Sequence, residues 1–278
     1  MPYDEELGAT GGRTPPAQAS PQRYPYDPQR AAAADRPREP GLADRLSLVT
    51  LKALLSGVGI FIVLEIVALV LGLAVVGRHG GGAIQGFDNT VEQWWIGHRA
   101  HLVSVSKVIA TLGDAPALGI ISIALTVILL ALRQKMRALV PIICYIGGEA
   151  LVLITRQVIT RPRPPTANYP APYAIPGVHE TSFSYPSGHA TAAVAVLIGL
   201  AVLALITWRA AVAWLPALLL TLLAFFVACS RLVLGVHWFS DVAFGMVLGI
   251  SWGIAVALVL RDVPWPFGRQ HLRSAHSL

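Results

Sequence analysis

Six apolar runs, each long enough to cross a bilayer as a helix, constrain this chain more tightly than any other feature. A hydrocarbon core about 30 Å thick takes about 20 consecutive apolar residues in a helix. Within that core each backbone N–H and C=O must be paired inside the protein. The runs are Leu48–Val76, Ala115–Leu132, Ala138–Ile154, Ala190–Thr207, Ala211–Ser230 and Trp238–Leu260. They predict an all-α fold, a polytopic membrane protein with six transmembrane helices. Only 13% of the residues are charged and 55% are hydrophobic, whereas an ordinary soluble domain carries about 25% charged residues.

The stretch between the first two runs adds one more element. Gly77 to Gly82, with Arg78 and His79, breaks the first run, and residues 86–113 are too polar to span. Trp94 and Trp95 suit the headgroup zone, so a short interfacial helix is expected there. The chain then divides into a disordered cytosolic tail over 1–42, a six-helix membrane domain over 43–262 and a cytosolic tail over 263–278. The first tail is rich in Pro, Ala, Arg and Gln and has no apolar periodicity. Its acidic start, Asp4-Glu5-Glu6, precedes no short apolar region, which argues against a signal peptide.

Lysine and arginine near the helix ends set the orientation. Arg30, Arg36, Arg38, Arg45 and Lys52 flank the first run, and Arg133, Lys135 and Arg137 follow the second. Arg209 lies between the fourth and fifth, and Arg261, Arg269 and Arg273 follow the sixth. With six spans all four groups share one side, which the positive-inside rule makes cytoplasmic. Both termini are then cytoplasmic, in a multi-pass cell-membrane protein. Arg78, Arg99 and Lys107 fall on the other face and oppose this bias. The net charge of +6 lies in short loops and flanks with no basic stripe, so no nucleic-acid partner is expected. Cys144 and Cys229 sit inside apolar runs and read as small hydrophobes, a disulfide being the alternative.

Three fragments near run ends carry the residues with chemistry. They are Arg156 to Pro164, then Pro186-Ser187-Gly188-His189, then Ser230-Arg231 with His237 and Asp241. Charge at such positions is costly in a membrane protein and defaults to function. His237 and Asp241 are four apart and share a helix face. An aspartate that accepts the proton of one ring nitrogen leaves the other as base or nucleophile; the plain alternative is a pair that caps the helix. Ser187 suits an N-cap, Gly188 lets backbone approach a ligand, and a helix N-terminus offers N–H groups to an anion. His189 then stands where it could protonate a leaving oxygen. Arg156, Arg163 and Arg231 can grip phosphate oxygens bidentately and keep their charge when desolvated. Arg161 is a fourth candidate, expected at the rim.

Other polar residues receive plainer readings. His79, His98, His101 and His179 are expected in solvated loops, and Asp114 is expected to cap the second span. Glu65 and Glu149 lie within spans, where interhelical hydrogen bonding is the first expectation. No cysteine or histidine cluster has metal-ligand spacing, so neither a metal nor another cofactor is expected.

The three fragments resemble the motifs of the type 2 phosphatidic acid phosphatase superfamily, the lipid phosphate phosphatases. Those motifs are Lys, six residues, Arg-Pro; Pro-Ser-Gly-His; and Ser-Arg, five residues, His, three residues, Asp. The second and third match in full at Pro186–His189 and at Ser230, Arg231, His237 and Asp241. The first matches at Arg163-Pro164, with Arg156 in place of the opening lysine. That departure keeps the charge and changes its geometry. The resemblance runs over roughly residues 86–260.

It implies His237 as nucleophile through a phosphohistidine, Asp241 as its orienting group and His189 as general acid. It implies Arg156, Arg163, Ser187, Gly188 and Arg231 as the phosphate-binding set, with no metal. The implied substrate is a lipid phosphate or diphosphate (phosphatidate, phosphatidylglycerophosphate or a polyprenyl diphosphate such as undecaprenyl diphosphate) met on the extracytoplasmic face. The polyprenyl diphosphate is favoured, because four arginines suit the higher charge. Two alternatives stand beside it: a vanadate-dependent haloperoxidase-like enzyme, which the six apolar runs oppose, and a non-catalytic lipid-binding or transport protein on the same fold.

Overall fold

The computed structural model describes residues 42–165, 175, 180–261 and 263. The two tails, apart from Leu42 and Val263, lie outside the described residues, as does His179 in the long polar loop. Eight α-helices follow one another among the described residues: α1 Leu42–Leu71, α2 Gln85–His98, α3 Val103–Thr111, α4 Ala115–Ala131, α5 Val140–Val158, α6 Val194–Thr207, α7 Ala210–Val233 and α8 Phe239–Arg261. One π-helical turn, Gly72–Val76, extends α1, and another, His189–Ala193, leads into α6. A 3-10 turn, Lys135–Leu139, leads into α5.

Five stretches are long and apolar enough to cross a membrane, Leu48–Val76, Lys135–Val158, His189–Thr207, Ala210–Val233 and Phe239–Arg261. A sixth candidate is a bent pair of helices. Helix α4 has only 17 residues and qualifies together with α3, from which it is bent by 51°. This corrects the expectation of a single interfacial helix over 86–113. The stretch divides at Arg99 to Leu102 into α2, which carries Trp94 and Trp95, and α3, which joins the sixth span. Ser104, Ser106 and Lys107 lower the apolarity of α3 enough to hide it in the sequence.

Helix α6 is the centre of the bundle. Its span is 61% buried, against 17% for α1 and 28% for α7. The reason is composition: alanines at 190, 192, 193, 195, 201 and 204 let neighbours approach closely, as small residues do between membrane helices. Helix α8 packs against it at Gly249, where an added Cβ would lie 2.5 Å from the Thr191 carbonyl oxygen. Leu118, Val140, Cys144, Leu151, Val196, Val227 and Trp252 complete the main apolar cluster. Cys144 is buried, Cys229 is half-buried, and both are free thiols. Outward-facing leucine, isoleucine, valine and phenylalanine on α1, α4 and α7 stay exposed, a surface that only a bilayer covers. Glu65 on α1 accepts a hydrogen bond of 2.9 Å from Thr155 Oγ1 on α5, the interhelical bond expected of it.

Helices α5 and α7 end, and α6 and α8 begin, around one cluster of loops. Helix α5 runs on to Val158 and α7 to Val233. Arg156 and Arg231 therefore sit on last helical turns rather than beyond them. This end of the bundle is knit by hydrogen bonds: Tyr185 Oη to Ala68 O at 3.1 Å, Trp238 Nε1 to Pro162 O at 2.9 Å, and Ser187 N to Asp241 O at 3.1 Å.

Candidate active site

Helix α8 starts at Phe239, one residue after Trp238, and its first turn presents Asp241 toward the loop that carries His237. Both side chains are buried. His237 Nε2 lies 2.9 Å from Arg163 Nη1. A guanidinium can only donate, so Nε2 is the unprotonated nitrogen and a neutral ring carries its proton on Nδ1. Nδ1 faces Asp241 Oδ2 across 3.6 Å, longer than a hydrogen bond. The sequence reading expected a direct bond here. Instead the Asp241 carboxylate receives the Trp238 N–H at 2.9 Å on Oδ2 and Arg161 Nη1 at 2.7 Å on Oδ1.

Three arginines converge on this histidine. Arg163 also donates to the carbonyls of Ser182 at 2.8 Å and Val236 at 2.9 Å, and to Ser182 Oγ at 2.9 Å. Arg156 donates to Pro186 O at 2.9 Å and to Ser182 Oγ at 3.3 Å. Arg231 is held by Glu180, whose carboxylate also pairs with Arg163 at 3.2 Å. Burial first, then the charges of Arg163, Arg231 and Arg156, pushes His237 well below its ordinary range, so the ring is neutral at physiological pH. Burial also lowers Arg163, to about 10, with Glu180 opposing; the guanidinium stays charged at neutral pH. Glu180 carries no signal in the sequence motifs, yet its carboxylate lies between two arginines of those motifs.

The opposite wall is the start of α6. Ser187 stands at the N-cap position, with a long contact of 3.5 Å from the Ala190 N–H to its Oγ. The Thr191 N–H donates to Ser187 O at 2.9 Å. Gly188 adopts ordinary helical backbone, and a Cβ there would meet only Val152, at 3.9 Å; the position is open rather than strained. His189 Nε2 lies 3.0 Å from Asp114 Oδ1. This corrects the capping role expected of Asp114, which makes no side-chain cap bond to α4. Gly113 permits the contact, because a Cβ there would lie 2.6 Å from His189 Cδ2.

Arg161 is the other correction. It was expected at the rim and is instead wholly buried, its Nη2 paired with Asp88 Oδ2 at 2.6 Å and its Nη1 with Asp241. Pro162, directly after Arg161, and Pro164 hold the segment extended, while Trp238 bonds the Pro162 carbonyl and Ser184 the Arg161 carbonyl. Among the described residues no group of three or more His, Cys, Asp or Glu could hold a metal ion.

Comparison with known proteins bears on the fold and the family. No curated protein matches the chain. The chain is similar to the crystal structure of a transmembrane PAP2-type phosphatidylglycerolphosphate phosphatase from Bacillus subtilis. The TM-score is 0.56 at 23% sequence identity, over 77% of this chain and 98% of that one. At that identity the likeness is one of fold. Residues 137–265 match the PAP2 superfamily. That stretch, a little under half of the chain, holds α5 to α8 and every residue of the three motifs, and over it the chain is similar to the PAP2 superfamily.

Proposed function

We propose that the protein is an integral membrane lipid phosphatase that works through a phosphohistidine on His237. The observation that carries the proposal is the Glu180 carboxylate, held by Arg163 and Arg231 while Arg163 also contacts His237 Nε2. It marks an anion position built against a nucleophilic nitrogen. A substrate phosphoryl group takes the place of that carboxylate, gripped by Arg156, Arg163 and Arg231 with Ser187 and Gly188 at the start of α6. His237 Nε2 attacks phosphorus, and the bond to the leaving oxygen breaks. That oxygen takes a proton from His189. Water then attacks the phosphohistidine, His189 accepts its proton, and inorganic phosphate leaves. Asp241 supports the positive charge that develops on the His237 ring. Arginine and helix-end N–H groups neutralise the equatorial oxygens, the largest electrostatic contribution to phosphoryl transfer.

A phosphate on an apolar anchor is the substrate that suits a site at the end of a membrane bundle. Phosphatidate, phosphatidylglycerophosphate and polyprenyl diphosphates all have that form, and the similar Bacillus subtilis protein is named for the second. The testing experiment is phosphate release by purified protein in detergent from a panel of these lipids, in excess EDTA. Release from at least one is expected, and undiminished by the chelator, because arginine supplies the charge that magnesium supplies elsewhere. A strict magnesium requirement with dispersed substrate would count against the pocket. So would vanadate-dependent peroxidase activity without hydrolysis.

The orientation follows from charge. The helix ends that carry Arg133, Lys135 and Arg137, Arg209 and Arg261 lie opposite the site, and the positive-inside rule supports catalysis on the extracytoplasmic face. A reporter domain fused after Leu260 is expected in the cytosol. A cysteine placed at Thr181 is expected to react with impermeant maleimide on intact cells, and protection until permeabilisation would reverse the assignment.

A further inference from the structure

We propose that Arg161, clamped from the far side by Asp88, is the positioning residue that aims Asp241 at His237; this rests on the phosphohistidine reading above. Arg161 belongs to none of the phosphate contacts. Its Nη1 donates to Asp241 Oδ1 at 2.7 Å and to Ser240 Oγ at 2.8 Å. Its Nη2 donates to Asp88 Oδ2 at 2.6 Å and to Gln85 Oε1 at 2.8 Å. Four of the five N–H bonds of the guanidinium are therefore spent on protein acceptors, and the group is wholly buried. It lies over the Trp238 ring, with Cζ 5.1 Å from the centroid, beside the backbone that leads into His237.

Asp88 closes the clamp. It is wholly buried, and besides Arg161 it receives the Ser240 N–H at 2.9 Å and Ser240 Oγ at 2.6 Å. Asp88 thus grips both the arginine and the residue next to Asp241. Three parts of the chain meet here: α2, the extended segment before Arg163, and the first turn of α8. With Oδ1 of Asp241 fixed by the fork and Oδ2 tied to Trp238 N, the carboxylate keeps one rotamer, and Oδ2 is the oxygen that faces His237 Nδ1. Two buried carboxylates around one guanidinium leave an excess negative charge behind the ring, suited to the cation that forms when Nε2 is phosphorylated.

The arrangement separates this arginine from its neighbour two residues on. Arg163 touches the nucleophilic nitrogen and the anion position, so its loss weakens substrate binding. Arg161 touches neither, so its loss should slow the chemical step and leave binding intact. A fork that holds two carboxylates at once cannot be replaced by an ammonium, which is a single point charge.

The test is a double-mutant cycle on the purified full chain in detergent, with dioctanoyl phosphatidate as substrate and inorganic phosphate as competitive inhibitor. Arg161→Lys is expected to lower kcat by roughly 10–100-fold, the range that misplacing a catalytic group by about 1 Å can cost. KM and the phosphate inhibition constant should move by less than about 2-fold. In an Asp241→Asn background the same change should lower kcat by less than about 2-fold further, since a residue that acts through Asp241 has nothing left to position. Asp88→Asn keeps the shape of the clamp and removes its charge. It should repeat the pattern with a smaller loss, and it carries the cycle if Arg161→Lys does not fold. Losses that multiply in the Asp241→Asn background, or a fall in phosphate affinity matching the fall in kcat, would overturn the positioning role. Absence of any phosphatase activity in the wild-type protein would instead remove the phosphohistidine reading on which it rests.

Discussion

With His237 replaced by alanine, the protein is expected to release no phosphate from any lipid phosphate and to give no acid-labile phosphoenzyme, while eluting and melting as a folded protein. The expected loss is on the order of 10⁴-fold or more, as for removal of a nucleophile elsewhere. The residue is buried, and among the described residues its Nε2 bonds only Arg163, so truncation disturbs the pocket more than the bundle. Asp241→Asn should lose on the order of 10²–10⁴-fold with the phosphoenzyme still detectable, because the ring keeps its nitrogen and loses the charge behind it. A second readout follows from acid. The ordinary histidine value is near 6.5, and burial with three arginines sets His237 well below it in the folded state. Acid therefore protonates the unfolded chain first. The contribution to stability is complete above about pH 6.5 and is lost as the pH falls from there toward the folded value. The alanine variant lacks this loss, so between pH 7.5 and pH 5 its melting temperature should fall less than that of the wild type. Full activity in His237→Ala would end the covalent mechanism.

What the sequence made legible was whatever the bilayer itself imposes. Apolar length gave the spans, because only long apolar runs satisfy a hydrocarbon core, and the observed stretches Leu48–Val76, His189–Thr207 and Phe239–Arg261 fall close to those runs. The span at Ala115–Leu132 was legible, but the part α3 takes in it was not, because Ser104, Ser106 and Lys107 make a short apolar helix look interfacial. The motif residues were legible as charges at run ends, but their partners were not. Arg161 was set apart from Arg156 and Arg163 in sequence only as a residue of the rim, and the fold shows it buried between Asp88 and Asp241 while the other two approach His237. Asp88 lies 73 residues before Arg161 on a helix of mixed polarity, with nothing local to mark it. Asp114 stood where a capping aspartate belongs, and capping was the natural inference. Its real contact depends on Gly113 letting the ring of a residue 75 positions away come close.

That contact bears on the second large effect. His189→Ala should impair hydrolysis of a phosphate monoester such as phosphatidate by about 10²–10⁴-fold, the usual worth of general acid catalysis, and should impair polyprenyl diphosphate hydrolysis far less. Cleaving the monoester expels an alkoxide, a poor leaving group unless an acid protonates it as the bond breaks. Cleaving the diphosphate expels a phosphate monoester, which carries its own charge and leaves without that help. The difference belongs to the leaving groups, so it holds whichever lipid the wild-type protein prefers. Asp114 sharpens the test. Its carboxylate lies 3.0 Å from His189 Nε2 and fixes the orientation of the ring, so Asp114→Asn should follow the same substrate order with a smaller loss. The measurement is kcat/KM for both lipids in wild type and both variants, in one detergent at one pH. If His189→Ala lowers both substrates equally, the residue serves to hold the phosphate, like the arginines across the pocket, and the acid must be sought elsewhere. If only the monoester suffers, the proton comes from His189, and the diphosphate route through His237 runs without it.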